Sequence, residues 1–167
     1  FFTSRAAYSA TVRPARAGSS VGVTRVTAAG ELAAALDVAL AEDSKALVES
    51  AIVGREIECG VLAGRDGGAP RVSLAGEIVI TGREFYDFDA KYMLHYFYSA
   101  MIWLTEFELA QIQDLAARAF EAIGGAGLAR ADFFLTADGF VINELNTMPG
   151  FTPISMYPKL WEASGLA

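Results

Sequence analysis

Residues 130–146 read "RADFFLTADGFVINELN", two runs rich in β-branched and aromatic residues on either side of an Asp138-Gly139 turn signal. A strand returns its side chains to the same face every second residue, so the register of this hairpin decides which polar groups share a face. Glu144 and Asn146 lie two apart and therefore point together. Two registers are open for the partner strand. A two-residue turn at Asp138-Gly139 pairs Thr136 with Val141 and sets Asp132 opposite Leu145, away from Glu144. A three-residue loop, Ala137 to Gly139 with Gly139 left-handed, moves the pairing by one and sets Asp132 opposite Glu144. Glycine at the last loop position is what the three-residue turn requires, so the second register is the expected one. Asp132, Glu144 and Asn146 then converge as hard oxygen donors suited to one or two Mg2+ ions bridging phosphate oxygens. The strand breaks immediately afterwards into "TMPGFTPISMYP", a loop with three prolines and a glycine.

The rest of the chain suits a folded setting for such a site. Its 167 residues are 53% hydrophobic and 20% charged, a globular composition, and length allows one compact domain. The net charge of -7 and pI near 4.7 exclude a general nucleic-acid-binding surface, which needs clustered Lys and Arg. An anionic ligand must then be held by a few placed cations or a metal. Cys59 is the single cysteine, so no internal disulfide framework exists and a reducing cytoplasm is the default. Cys59 sits inside the strand-like "EIECGVL", and His95 is the single histidine, which argues against a catalytic thiol. No uninterrupted apolar run reaches the length of a membrane span, and "FFTSRAAYSA" lacks the layout of a signal peptide. A start without Met points to a fragment of something longer.

Along the chain, "AYSATVRPARAGSSVGVTRV" reads as strand, Gly/Ser loop over residues 17–20, and strand. Leu32, Leu36 and Leu40 recur every four residues and predict an amphipathic helix from Glu31 to Glu42, with Thr27 as its cap. "KALVES", "REIECGVLAG" and "RVSLAGEIVI" read as three strands, separated at Gly54 and "GRDGGAP", and are expected to form one antiparallel sheet. "REFYDFDAKY" is too polar and aromatic for an ordinary core strand, and the apolar "MLHYFYSAMIWL" follows it. A second helix is predicted from about Glu106 to Ile123. Thr105 and Glu108 form its capping box, Leu109, Ile112, Ala116, Ala119 and Ile123 face inward, and Gly124 ends it. Strands gathered with helices to one side give an α+β layout.

Several weaker motifs accompany the oxygen cluster. "ARAGSSVGV" is a hairpin tip whose free N–H groups are suited to cradling phosphate, although most such tips are ordinary turns. "DAKY" offers Lys91 as a mobile cation. Glu49 and Glu56 in "VESAIVGREIE" lie near a sheet edge, placed either to receive a ribose or adenine or to face water. Taken in order and spacing, "RPARAGSSVGV", "VESAIVGREIECGVL", "FYDFDAKY", "GLARADFF" and "NELNTMPGFTPISMYP" resemble the D-alanine:D-alanine ligases of the ATP-grasp superfamily, from about Ala10 onward.

That resemblance implies an α+β ATP-grasp fold, an antiparallel sheet with helices packed on one side and a truncated central lobe. Residues 1–49 would be a remnant of the central lobe and residues 50–167 the carboxy-terminal lobe. It implies ATP with Mg2+ or Mn2+ as cofactors, D-alanine as small-molecule substrate, a cytoplasmic enzyme of peptidoglycan precursor synthesis, and no nucleic-acid or membrane partner. A homodimer of the full-length protein stays open. In the family one D-alanine carboxylate is phosphorylated and the amine of a second attacks the acyl phosphate. By match, Asp132, Glu144 and Asn146 are the metal ligands, Arg130 the arginine at the transferring phosphoryl and tetrahedral intermediate, and Lys91 the γ-phosphate lysine. Ser19 and Tyr92 match the triad that locks the loop over the site, Gly150 and Ser155 the oxyanion and second-carboxylate positions, and Glu49 and Glu56 the adenine and ribose contacts. Tyr92 is the D-alanine-type residue where depsipeptide ligases differ. Three departures stand out: the N-terminal domain with the triad glutamate is absent, Arg13 replaces a cofactor-binding lysine with a planar fork, and the apolar 93–104 segment replaces a polar, proline-containing one. The chain is therefore expected to be an incomplete catalyst. An acceptor other than D-alanine (D-lactate or D-serine) and a non-catalytic nucleotide-binding fragment are the alternatives.

Overall fold

The computed structural model describes residues 9–18, 20–79, 97–99, 104–152 and 155–166, with the backbone alone at 97–99. They fall into two units, one within Phe1–Ile52 and the other within Val53–Thr81 and Tyr96–Ala167.

In the first unit, β1 (Ala10–Pro14) pairs antiparallel with β2 (Thr24–Val26) and with β3 (Ala46–Ser50), giving the order β2-β1-β3. Alternation along β1 buries Ala10 and Val12 against Val26 and against Ala35 and Ala39 of α1 (Leu32–Glu42). The helix forms where predicted but rotates its face: Leu32 and Leu36 pack at the edge of this cluster, while Leu40 is 48% exposed. A spacing of four overshoots the 3.6-residue turn by about 40° per step, so the third leucine has drifted off the buried stripe. Thr27 is not the cap either. Glu31 Oε2 accepts hydrogen bonds from the Thr27 and Ala28 amides at 2.8 and 3.1 Å, so the glutamate serves the preceding turn. The expected three-strand sheet is also revised, because β3 joins β1 rather than the strands that follow it.

In the second unit, β4 (Arg55–Leu62), β5 (Arg71–Val79), β6 (Phe97–Ser99), β7 (Leu128–Thr136) and β8 (Gly139–Asn146) make an antiparallel sheet ordered β6-β5-β4-β7-β8. Odd-numbered positions of β4 and β7, among them Ile57, Cys59, Val61, Ala129, Ala131 and Phe133, are buried against Ile112, Ala116 and Phe120 of α2 (Glu106–Ala122). The predicted capping box is present: Thr105 Oγ1 accepts from the Glu108 amide, and Glu108 Oε2 accepts from the Thr105 amide. Gly124 follows at φ 63°. Phe120 occupies the core where Ala119 and Ile123 were expected, and Ile123 is 54% exposed.

The α+β architecture holds, but the helices flank the sheet instead of sharing one side. A third helix, α3 (Met156–Ala163), lies over the other face, where a Cβ on Gly60 would sit 2.6 Å from Trp161 Nε1 and one on Gly76 2.8 Å from Leu160 Cδ2. Pro158 fits its first turn, where no intrahelical N–H partner is needed. A bulge on β5 opposite Gly60 accommodates this contact: Ser73 Oγ accepts the Gly60 amide at 2.8 Å and Ser164 Oγ the Leu74 amide at 2.8 Å.

Candidate functional site

The final hairpin reaches the expected register by a different route. Its turn is Ala137–Asp138, with Thr136 paired to Gly139 at φ 113°, and the residue that shifts the ladder is Asn143, bulged between Ile142 and Glu144. Asp132 lies opposite Glu144 as a result, and Arg130 opposite Asn146. The same face continues onto β4, where Glu58 pairs with Asp132 and Gly60 with Arg130. Two cross-strand rows result, Glu58–Asp132–Glu144 and Gly60–Arg130–Asn146.

Arg130 is the centre of this face. Its Nε and Nη2 donate to Asp132 Oδ1 and Oδ2 at 2.7 and 2.6 Å, a bidentate pair, and Nε stands 3.2 Å from Glu58 Oε2. The side chains of Arg130, Asp132 and Glu58 are only 14, 13 and 3% exposed. Burial disfavours the guanidinium's charge, but hydrogen bonding and attraction from Asp132, with the charges of Glu58 and Glu144, outweigh it and push Arg130 above its ordinary range. Among the described residues, the carboxylates of Asp132, Glu58 and Glu144 all act on this guanidinium. Asn146 Oδ1 accepts the Met148 amide at 3.1 Å, which fixes the amide oxygen at the strand end. Asp132, Glu144 and Asn146 thus offer the all-oxygen donor set that a hard divalent cation takes, and the donor chemistry fits magnesium. Among the described residues no three Asp, Glu, His or Cys side chains are gathered tightly enough to chelate an ion unaided.

The loop after β8 brings two further candidates together. Ser155 Oγ accepts the Thr152 amide at 3.0 Å, and a Cβ on Gly150 would lie 2.8 Å from that oxygen. In the first unit Arg13 and Glu49 form an ion pair, Nε to Oε2 at 2.7 Å, so these two candidates contact each other. Glu56 is half-buried on the face of β4 that carries Glu58. Ser19, Lys91 and Tyr92, and the side chains of the 93–103 segment, lie outside the described residues. Cys59 is buried, and burial followed by the nearby Asp132 and Glu58 charges pushes its thiol well above the ordinary range, in line with an inert core residue. Glu58 was not among the sequence candidates. Its signal was "EIE", two acids on one strand face, but their meaning depends on which strand lies beside β4.

No described helix is long and apolar enough to cross a membrane. The two antiparallel sheets match those of ATP-grasp D-alanine ligases: the chain superimposes on the D-alanine-D-alanine ligase from Coxiella burnetii with a TM-score of 0.78 at 40% identity, over 93% of this chain and 40% of that one. It superimposes on the VanG D-Ala:D-Ser ligase from Enterococcus faecalis with a TM-score of 0.83 at 36% identity, over 98% of this chain and 47% of that one. In sequence it is 51% identical to a D-alanine–D-alanine ligase of Kineococcus radiotolerans, over 95% of this chain and 44% of the relative. It is 53% identical to one of Mycolicibacterium smegmatis, over 93% and 43%. The family model for the D-ala D-ala ligase C-terminus matches residues 2–167, and the chain belongs to that family. It spans less than half the length of these relatives.

Proposed function

We propose that the chain is the carboxy-terminal ATP-grasp portion of a cytoplasmic ligase that joins two D-alanines for peptidoglycan precursors, using ATP and Mg2+ or Mn2+. The observation that carries this is the shared face of Arg130, Asp132, Glu144 and Asn146, produced by the bulge at Asn143. Residues 1–49 are assigned to the central lobe and residues 50–167 to the carboxy-terminal lobe.

Asp132, Glu144 and Asn146 would hold the cation, which when bound neutralises phosphate oxygens as the γ-phosphoryl separates. Arg130, charged at any working pH, supplies a fixed positive group where negative charge develops on the phosphoryl and on the tetrahedral centre. Lys91 acts at the γ-phosphate, Ser19 and Tyr92 close the loop, and Glu49 and Glu56 contact adenine and ribose, with Arg13 orienting Glu49. Gly150 takes the oxyanion position beside Ser155, whose hydroxyl faces the acceptor's carboxylate. The likeness to a D-Ala:D-Ser ligase at a TM-score of 0.83 supports D-serine as a second acceptor to test.

Product analysis by mass spectrometry, with ATP, D-alanine and either D-serine or D-lactate, tests the acceptor in a full-length protein carrying this sequence. D-alanyl-D-alanine as the main product is expected, and a depsipeptide or D-Ser product would replace that reading. Lys91→Ala there should slow phosphoryl transfer much more than it weakens D-alanine binding; equal damage to both would remove the lysine from the phosphates. The 167-residue chain alone is expected to bind Mg-ATP weakly and to form no dipeptide, because an acyl phosphate needs an aligned first carboxylate. D-alanine-dependent phosphate release by that chain would overturn the incomplete-catalyst reading.

A further inference from the structure

Glu58 is a carboxylate with 3% of its side chain exposed, on a strand whose other face is apolar core. Burying an ion costs several kcal/mol unless it is paired, and its pairing is with Arg130 Nε at 3.2 Å. The same arginine is held by both oxygens of Asp132. Those oxygens face two demands: to accept from Arg130 and, under the function proposed above, to bind a divalent cation. If Asp132 turned to a cation with no other acid present, a largely buried guanidinium would lose its counter-charge.

We propose that Glu58 is the positioning residue that keeps Arg130 in place when Asp132 turns to the cation. The strand order suits it to that task. Asp132 separates it from Glu144 in the cross-strand row, and strands lie about 4.8 Å apart, which puts the backbones of Glu58 and Glu144 roughly 10 Å apart. On its other side is Gly76, over which Met156 and Leu160 of α3 pack. Glu58 is thus a fixed counter-charge on the closed side of Arg130, while Asp132 lies on the side toward Glu144. Handing the guanidinium from Asp132 to Glu58 lets a cation bind without leaving a buried charge unpaired.

This inference rests on the reading of Asp132 as a cation ligand, and a double-mutant cycle separates the two. Mn2+ is titrated into a full-length protein carrying this sequence, with a non-hydrolysable ATP analogue present and an analogue-only control, and the free ion is followed by electron paramagnetic resonance, for the parent, Glu58→Gln, Arg130→Gln, the double variant and Asp132→Asn. Glu58→Gln should weaken Mn2+ binding about tenfold, within the usual coupling of contacting groups, and change it less than about twofold when Arg130 is already Gln. Equal losses in both backgrounds would show Glu58 acting on the cation through its charge alone and overturn the proposal, as would no loss in either. Failure of the parent to take up Mn2+, or uptake unchanged by Asp132→Asn, overturns the cation-ligand reading and this proposal with it. If circular dichroism shows Glu58→Gln unfolded, the cycle is run with Glu58→Asp, whose shorter carboxylate keeps the charge but withdraws from Arg130, and the same non-additivity is required.

Discussion

Among the described residues, two aspartates are each held by two nitrogens of an arginine, and their surroundings make the contacts do different things. Asp132 and Arg130 are both largely buried beside further acids, so their pairing sets the charge of a site. Asp43 meets Arg16, which is 74% exposed, at 2.5 and 3.1 Å, so this pair acts on local stability. Hydrogen bonds from Arg16 hold Asp43 down at about 2. A carboxyl depressed on folding contributes stability that is complete above its unfolded value, about 3.9, and is lost as pH falls through the folded one. Asp43→Asn should therefore unfold at lower urea than the parent by an amount constant from neutral pH to about 5 and shrinking from about pH 4 to 2. Circular-dichroism urea curves across that range check it; an undiminished gap at pH 2 would remove Arg16 as the cause. The shared face of Glu144 and Asn146 was legible in the sequence, because residues two apart on a strand share a face, whereas Arg130 entered only through the family resemblance. Glu58 was not legible, since its role comes from β4 lying beside β7, a pairing between distant segments that no local period encodes.

At the scale of elements, legibility followed how local the determining interaction is. The capping box of α2 and the glycine after it are fixed within a few residues, and the helix runs Glu106–Ala122 against a predicted Glu106 to Ile123. The partner of β3 and the existence of α3 depend on tertiary packing; "MYP" falls in the predicted loop and "KLWEA" in no predicted element, yet together they form a helix that closes over two glycines on separate strands. These glycines differ in what a methyl would meet. At Gly60 it would press on the indole ring of Trp161 at 2.6 Å, a rigid group whose neighbour Tyr157 donates its hydroxyl to Val61 O. At Gly76 it would meet the ends of Leu160 and Met156, flexible side chains able to turn aside. Gly60→Ala should cost about 1–3 kcal/mol, the usual range for overpacking, and Gly76→Ala clearly less. Urea unfolding of the two variants measures the order, and equal costs would mean that α3 shifts as a body rather than yielding side chain by side chain.

At the scale of the whole molecule, the described residues hold two separate cores. The cluster in the first unit has five buried residues, Ala10, Val12, Val26, Ala35 and Ala39, three of them alanine. The cluster in the second has ten, including Ile57, Ile112, Phe120 and Phe133. Apolar burial stabilises by roughly 25 cal/mol per Å2, so a small alanine-rich core contributes much less than one built on Ile and Phe. The two share no buried residue, and a cavity in one is expected to act first on the packing of its own cluster. Ile112→Ala should cost about 2–5 kcal/mol and raise amide exchange across β4, β5, β7 and α2. Val12→Ala should raise exchange in β1, β2, β3 and α1, and do so at lower denaturant than the first unit of the parent requires. Hydrogen exchange followed by mass spectrometry on both variants reads the two regions independently. If Val12→Ala loosened residues 104–152 as much as residues 9–52, the chain would unfold as one cooperative block. The arginine–carboxylate face would then depend on the weaker core, and damage near β1 would reach the proposed cation site without touching Asp132, Glu144 or Asn146.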